Sequence, residues 1–364
     1  MIKKFISTIA GLSVLLCTVS VPINTSSAVS FDITDTSFDE YQPHREEDKK
    51  IPSPEEIPVN ESIRRLSGRV IKVMIDPGHY SYYNQSPVYA PYWESVMTWK
   101  LSNYLQEELQ ALGVHADLTK SSLDEDPSLN DRGFSSKGYD FFISMHSNAG
   151  AASYIDQPIA IIYQDLPWTD IDDISREMGE ILTATVTDVM KTNQKGITYQ
   201  RKGTGDWDGN GINDDEWYSV LFGSRYVGTS GILLEHSFHT NYRATLWLYN
   251  DDNLKKMAKE EAVAIFDYFS EKKALEYPEP PSMGDVNDDG IVDSSDASFI
   301  LAEYSVISTG GKSFLNDEFK SVADVNGDGL IDASDASEIL DFYSFSSTSG
   351  IEMDMSEWTE NIKV

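Results

Sequence analysis

Three short apolar runs in this chain end on a residue able to bind a metal or carry a proton. Val70-Ile71-Lys72-Val73-Met74-Ile75 leads into Asp76-Pro77-Gly78-His79. Phe141-Phe142-Ile143-Ser144-Met145 leads into His146, and Gly231-Ile232-Leu233-Leu234 leads into Glu235. Runs of this kind read as buried sheet strands, and open α/β sheets form ligand crevices outside the carboxyl ends of their strands. The pattern predicts one rim at which residues far apart in sequence meet. Two imidazoles and a carboxylate, with a fourth position open, are the ligand set of a hydrolytic zinc site. Zinc held in this way polarises a carbonyl and lowers the pKa of bound water to roughly 7. A further carboxylate takes the water proton and hands it to a leaving amine, and Glu235 is the candidate for that role.

The carboxylate ligand is sought in Glu94. It opens a helical pattern whose apolar stripe is Met97, Leu101, Tyr104, Leu105, Leu109 and Leu112, and it stands at the head of that inward stripe. An acid pointing at a sheet is costly unless paired or metal-bound, whereas an acid at a helix N-terminus also suits the helix dipole; both readings stand. Asp76 is either an orienting partner of His79 or an ordinary turn residue before proline. His236 and His239 flank Glu235 within reach of a substrate, and Arg132 reads as a local ion-pair partner.

A second chemistry is written twice near the C-terminus. Asp285, Asn287, Asp289, Asp293 and Asp296 occupy positions 1, 3, 5, 9 and 12 of a calcium loop, with Gly290 at the turn and the Ile291 carbonyl at position 7. Thirty-nine residues later Asp324, Asn326, Asp328, Gly329, Leu330, Asp332 and Asp335 repeat the pattern. Short helices are expected after each loop, over 297–304 and 336–343. Such a small segment without disulfides has little core, so its folding should be linked to two calcium ions. Asp206 to Asp214 resembles the front half of a further loop, but position 12 is Trp217 and Glu216 falls one short. That stretch is either an irregular third calcium site or a polar turn.

The elements that position these residues follow from the rest of the chain. Its 364 residues leave room for more than one domain, and 40% hydrophobic content is enough to bury cores. Apolar runs alternate with helical patterns over 94–112, 171–190 and 253–269. The fold class is therefore α/β, a twisted and largely parallel sheet with helices on both faces, followed by a small all-α calcium-binding module. The expected organisation is a signal peptide over 1–28, an acidic, proline-containing linker over 29–67 and a catalytic domain over 68–275. A Pro-rich linker over 276–283, the calcium module over 284–345 and a polar tail over 346–364 complete it.

Lys3 and Lys4, the apolar run from Phe5 to Val21 and the Ser26-Ser27-Ala28 site are the parts of a secretion signal. The run is shorter than the ~18 residues of a spanning helix, so no integral membrane segment is expected in the mature chain and the protein is expected outside the cell. The formal charge of −32 would become −34 on cleavage, which removes two lysines and no acid. So acidic a surface argues against nucleic acid as a partner. The single cysteine, Cys17, lies within the signal and leaves the mature chain without thiols.

Together, Ile75-Asp76-Pro77-Gly78-His79, Glu94 opening a helix, Ile143-Ser144-Met145-His146-Ser147-Asn148 and Leu234-Glu235-His236-Ser237-Phe238-His239-Thr240-Asn241 resemble zinc-dependent N-acetylmuramoyl-L-alanine amidases of the third class. The likeness runs collinearly over roughly 68–272. It implies zinc on His79, Glu94 and His146, with Glu235 as acid/base. It also implies cleavage, in peptidoglycan, of the amide between the lactyl group of muramic acid and L-alanine. Tyr80 and Ser81 stand where that family commonly has glycines, and Tyr82, Tyr83, Tyr89, Tyr92 and Trp93 crowd the stretch before Glu94. These rings either stack on substrate or pack the loop. The C-terminal repeat resembles a dockerin, which implies docking to a cohesin domain of a cellulosome-type scaffold through Ser294-Ser295 and Ala333-Ser334. Two other functions fit the same residues, a silent wall-binding module and a zinc peptidase acting on wall peptides.

Overall fold

A computed structural model describes residues 51–64, 66–164, 171–203, 205–213, 215–277, 281–351 and 353–361. The expected signal segment and the linker up to residue 50 lie outside the described residues, as do 278–280 of the Pro-rich stretch. Among the described residues no helix is long and apolar enough to cross a membrane.

The apolar runs become a six-stranded sheet: β1 (Lys72–Pro77), β2 (His115–Leu118), β3 (Phe141–Asn148), β4 (Ile159–Ile162), β5 (Ile197–Gln200) and β6 (Gly231–Phe238). Their order is β2-β1-β3-β6-β4-β5, and every neighbouring pair is parallel except β4 with β6. Strand alternation divides the core in two. Val73, Ile75, Phe141, Ile143, Ile232 and Leu234 face α1 (Glu94–Ala111), α3 (Ile171–Met190) and α6 (Asp251–Glu276). Met74, Phe142, Ile161 and Leu233 face the opposite layer, where Leu129 of α2 (Leu129–Phe134) and Val220 and Leu221 of α4 (Ser219–Tyr226) pack. The helix α5 (Tyr242–Tyr249) follows β6. Because β2 lies on one side of β1 and β3 on the other, the strand order reverses there, the place where open α/β sheets gather ligand-binding residues.

The C-terminal residues build their own core from α7 (Ser294–Ser308), α8 (Asp317–Ala323), α9 (Ala333–Ser349) and α10 (Met355–Asn361). Ile300, Phe319, Ile339 and Phe342 are buried in it. Both long helices start with a capping box, Asp293 with Asp296 and Asp332 with Asp335, so residues at loop positions 9 and 12 also satisfy the free amides of a helix start.

Three boundaries differ from the sequence reading. Residues 51–67 do not form an open linker: Ile57 and Ile63 are buried, and Lys137 Nζ donates to the carbonyls of Pro54 and Ile57 at 2.6 Å each. The few apolar residues of this polar stretch, Ile51, Ile57, Val59, Ile63 and Leu66, keep no sustained periodicity, which is why sequence concealed their packing. Val70 is not a strand residue but packs with Val286 and Ile300 in the C-terminal core. Residues 346–361 are not merely a polar tail. They end α9 and form α10, whose Met355 and Trp358 close that core, and a Cβ on Gly284 would lie 2.3 Å from Met355 Sδ.

The two cores also meet. Arg69 Nε donates to both carboxylate oxygens of Asp288, at 3.2 and 3.1 Å, and its Nη1 donates to the Tyr277 carbonyl at 3.0 Å. Ser67 Oγ donates to the same carboxylate at 3.2 Å. Asp288 is position 4 of the first loop, between Asn287 and Asp289.

Candidate metal centre

The chain turns sharply after β1. Gly78 has to be glycine there, since a Cβ would lie 2.5 Å from the His146 ring and 2.5 Å from the Met145 carbonyl. His79 follows with φ of 63°, a left-handed backbone that a side-chain-bearing residue adopts at some cost. Lys120 Nζ, on the far side of the turn, donates to the His79 carbonyl; burial pulls this ammonium down to about 8. Glu94 is the first residue of α1 and His146 lies near the end of β3.

These three side chains converge. Glu94 Oε2 lies 3.2 Å from His79 Nε2, and Oε1 lies 3.1 Å from His146 Nδ1. One ligand atom from each residue falls within 4.8 Å of the others. Burial alone would raise the Glu94 pKa, but the two imidazoles outweigh it and hold the carboxyl well below its usual range. The Ser147 amide donates to Oε1 at 2.9 Å and Asn84 Nδ2 to Oε2 at 2.8 Å. The acid is thus an inward member of the cluster and not merely a helix cap. Burial lowers the His146 pKa, favouring the neutral ring that a metal needs.

Ser144 and Asp76 form a hydrogen-bonded pair behind His146. Ser144 Oγ donates to Asp76 Oδ2 at 2.7 Å, and His146 Nε2 lies 3.2 Å from that hydroxyl. With its proton committed to Asp76, Ser144 can accept from Nε2–H, the tautomer that would free Nδ1 for a metal when one is bound. Asp76 therefore orients His146 through Ser144, whereas sequence suggested it for His79. It also accepts from Thr119 and pairs with Arg132 at 3.5 Å. Arg132 is engaged locally, as expected, with Asp126 at 3.1 Å as well.

Glu235 stands beside His146 as its register partner across β3 and β6. Its Oε2 is buried and has no hydrogen-bond partner among the described residues. Burial, with the charge of Glu94 added, pushes its carboxyl well above the usual range. An orphaned, basic carboxyl next to two imidazoles and an acid with lone pairs converging fits a transition-metal ion with a proton-transfer group alongside.

The two flanking histidines do not open to substrate. His236 is fully buried: Nδ1 lies 2.9 Å from the His146 carbonyl and Nε2 lies 2.9 Å from Glu261 Oε1. Burial would lower its pKa, but Glu261 outweighs that and raises it. His239 stacks on Tyr92 and approaches Ser147 Oγ at 3.0 Å, while the Tyr92 hydroxyl donates to the same oxygen at 2.8 Å. Asn84, Ser144, Ser147 and Glu261 were not found by sequence reasoning. The signal for Glu261 was an acid within the apolar stripe Met257, Ala258, Ala262 and Ile265.

In the C-terminal loops the side-chain oxygens curl inward onto backbone amides. Asp285 accepts from Asp289 and Gly290, Asp289 from Ile291, and Asp296 from Val286, Asn287 and Asp293. The second loop repeats this through Asp324, Asn326, Asp328 and Asp335. Asp324 Oδ1 is buried without a partner among the described residues, and burial pushes Asp296 up to about 6. Among the described residues no three of these loop acids gather within 4.8 Å as His79, Glu94 and His146 do, but a buried, partnerless carboxylate oxygen suits a hard cation. Asp206, Asp208 and Asp215 also gather within 4.8 Å. There, however, Glu216 accepts from the Gln164 amide at 3.0 Å and pairs with Arg225, and Arg201 covers Trp217 at 3.8 Å. Neither residue supplies the twelfth-position acid.

Residues 73–267, more than half of the chain, match the Amidase_3 family, N-acetylmuramoyl-L-alanine amidase. The chain belongs to this amidase family. Residues 283–340 match the dockerin type I domain, so the amidase domain is followed by a dockerin. Comparison with curated proteins finds no match. Among solved structures, the chain is similar to an N-acetylmuramoyl-L-alanine amidase from Clostridium difficile 630, with 18% identity, a TM-score of 0.46 and coverage of 56% of this chain and 100% of that one. The catalytic domain of CwlV from Bacillus (Paenibacillus) polymyxa var. colistinus gives 17%, 0.44, 55% and 98%. AmiC2 of Nostoc punctiforme gives 20%, 0.43, 56% and 98%.

Proposed function

We propose that this enzyme is exported and cleaves the amide between the lactyl group of N-acetylmuramic acid and L-alanine. The observation that carries this reading is the convergence of His79, Glu94 and His146 beside the orphaned carboxyl of Glu235. His79, Glu94 and His146 would hold zinc, whose Lewis acidity polarises the amide carbonyl and acidifies water when it is bound. Asp76 and Ser144 keep the His146 nitrogen that faces the metal unprotonated, and Asn84 and Ser147 fix Glu94. Glu235 takes a proton as water oxygen bonds to the lactyl carbonyl carbon. It returns that proton to the L-alanine nitrogen as the C–N bond breaks, so a carboxylic acid and a free amine leave. A base with a raised pKa suits both transfers.

The dockerin would bind two calcium ions through the loops beginning at Asp285 and Asp324, and attach the enzyme to a cohesin-bearing scaffold. The repeated exposure of Leu301 and Tyr304 on α7 and of Leu340 and Tyr343 on α9 supports a contact surface. Lys3, Lys4 and the apolar run after them support export to the wall, where the polymer lies.

Digestion of purified sacculi tests the reaction. New L-alanine amino termini are expected. Termini at other residues would make the enzyme a peptidase, and binding without new termini would make it a wall-binding module. Capture by a cohesin column that is lost on calcium removal is the expected result for docking.

A further inference from the structure

The aromatic stretch between His79 and Glu94 is not used by the chemistry above. Its loop is held firmly. Ser81 and Asn84 share the left-handed backbone of His79, with φ of 47° and 55°. The Ser81 amide donates to the Leu123 carbonyl at 2.8 Å, the Tyr83 amide to Ser95 Oγ at 2.9 Å, and Ser86 Oγ to the His239 carbonyl at 2.6 Å. Pinned in this way, the loop displays three of its rings, Tyr80 at 38% exposed, Tyr82 at 65% and Tyr83 at 40%, while Tyr92 is buried and Tyr89 packs against the core. The rings continue the metal centre outward. Tyr83 stacks on His79 at 4.9 Å between centroids, Tyr80 follows Tyr83 at 6.0 Å with near-parallel planes, and Tyr82 meets the edge of Trp93 at 5.7 Å.

We infer that Tyr80, Tyr82 and Tyr83 form a saccharide subsite, on which an uncharged pyranose face of the glycan strand stacks while its lactyl amide lies at the metal centre. The inference rests on the amidase reading. In that substrate the scissile carbonyl is joined to the muramyl ring through one short ether arm, so a sugar has to lie close to His79. Residues 80–93 contain no Lys, Arg, Asp or Glu. This neutral surface suits the C–H face of a sugar and gives no counter-charge to the carboxylates of a peptide stem. Rings displayed on a preformed loop also avoid an ordering cost on binding.

The test uses the full chain and a peptide-free tetrasaccharide of alternating N-acetylglucosamine and N-acetylmuramic acid, titrated by calorimetry. The tetrasaccharide is expected to bind the unaltered protein. Affinity should fall about tenfold in the Tyr80→Ala/Tyr82→Ala double variant, the scale of losing one or two aromatic contacts. It should be kept in Tyr82→Phe, which retains the ring. Absence of tetrasaccharide binding, equal affinity in the double variant, or displacement by a free stem tripeptide would each overturn the subsite. Release of L-alanine amino termini from sacculi is scored separately. Sugar binding with no such release would reject the amidase reaction and leave a sugar-binding surface, while release with no ring-dependent sugar binding would do the reverse.

Discussion

His146 and Glu235 are direct register partners on adjacent parallel strands, so the ring and the carboxyl leave the sheet side by side from the same face. Their separation is set by backbone pairing rather than by loop conformation, which suits the proposed roles of the ring as metal ligand and the carboxyl as proton carrier.

Glu235→Gln keeps the volume and removes the titratable oxygen. Release of L-alanine termini should fall by about 10²–10⁴-fold, the usual share of general acid–base catalysis, with zinc content by elemental analysis unchanged. Activity within a few-fold of the parent would remove Glu235 from the reaction.

Ser144→Ala breaks the link between Asp76 and His146 at a fully buried position with little change in volume. Zinc affinity in a chelator competition should drop by about tenfold or more, as for other outer partners of metal ligands. Unaltered affinity would show that the His146 tautomer is set elsewhere.

Glu261→Ala strips the buried His236 ring of its counter-charge. Stability should fall by about 3–5 kcal/mol, read as a lower urea midpoint with unchanged slope. The loss should be smaller in Glu261→Gln, which retains an acceptor for His236. Equal stability in all three proteins would mean that the pair is held neutral.

The first calcium loop should respond to acid. Asp296 is raised to about 6 by burial, so between the ordinary aspartate value and about 6 the folded loop binds a proton that the unfolded chain releases. The cation-free module accordingly loses stability as pH rises through that window. Calcium competes with the same proton, so its affinity should weaken as pH drops below about 6. Titrations at pH 7.5 and 5 check this, and identical affinities would contradict it.

The site was legible where strand ends carry their chemistry next to dense apolar runs, as at His79, His146 and Glu235. Glu94 was ambiguous because a helix start explains an acid as readily as a metal does, and only the distances place it between both imidazoles. The edge strands β2 and β5 escaped notice because His115–Leu118 and Ile197–Gln200 are short and mostly half-buried, with no apolar run. The partners Asn84 and Ser147 act through one amide side chain and one backbone N–H, which no spacing rule reveals. The dockerin repeats were plain in sequence because the loop positions follow one another closely, whereas the closure of their core by Met355 and Trp358 depends on the chain past Gly350 folding back onto α9.

The grip of Arg69 on Asp288 has a mechanical consequence. A catalytic body hung from its anchor by a slack cord sweeps in all directions, whereas one braced at the anchor itself faces a fixed way. Here the brace is only ten residues before His79, and β1 begins three residues after Arg69 and ends two before His79. Wherever the C-terminal module is held, the direction of β1 from that joint bears on how His79 is presented.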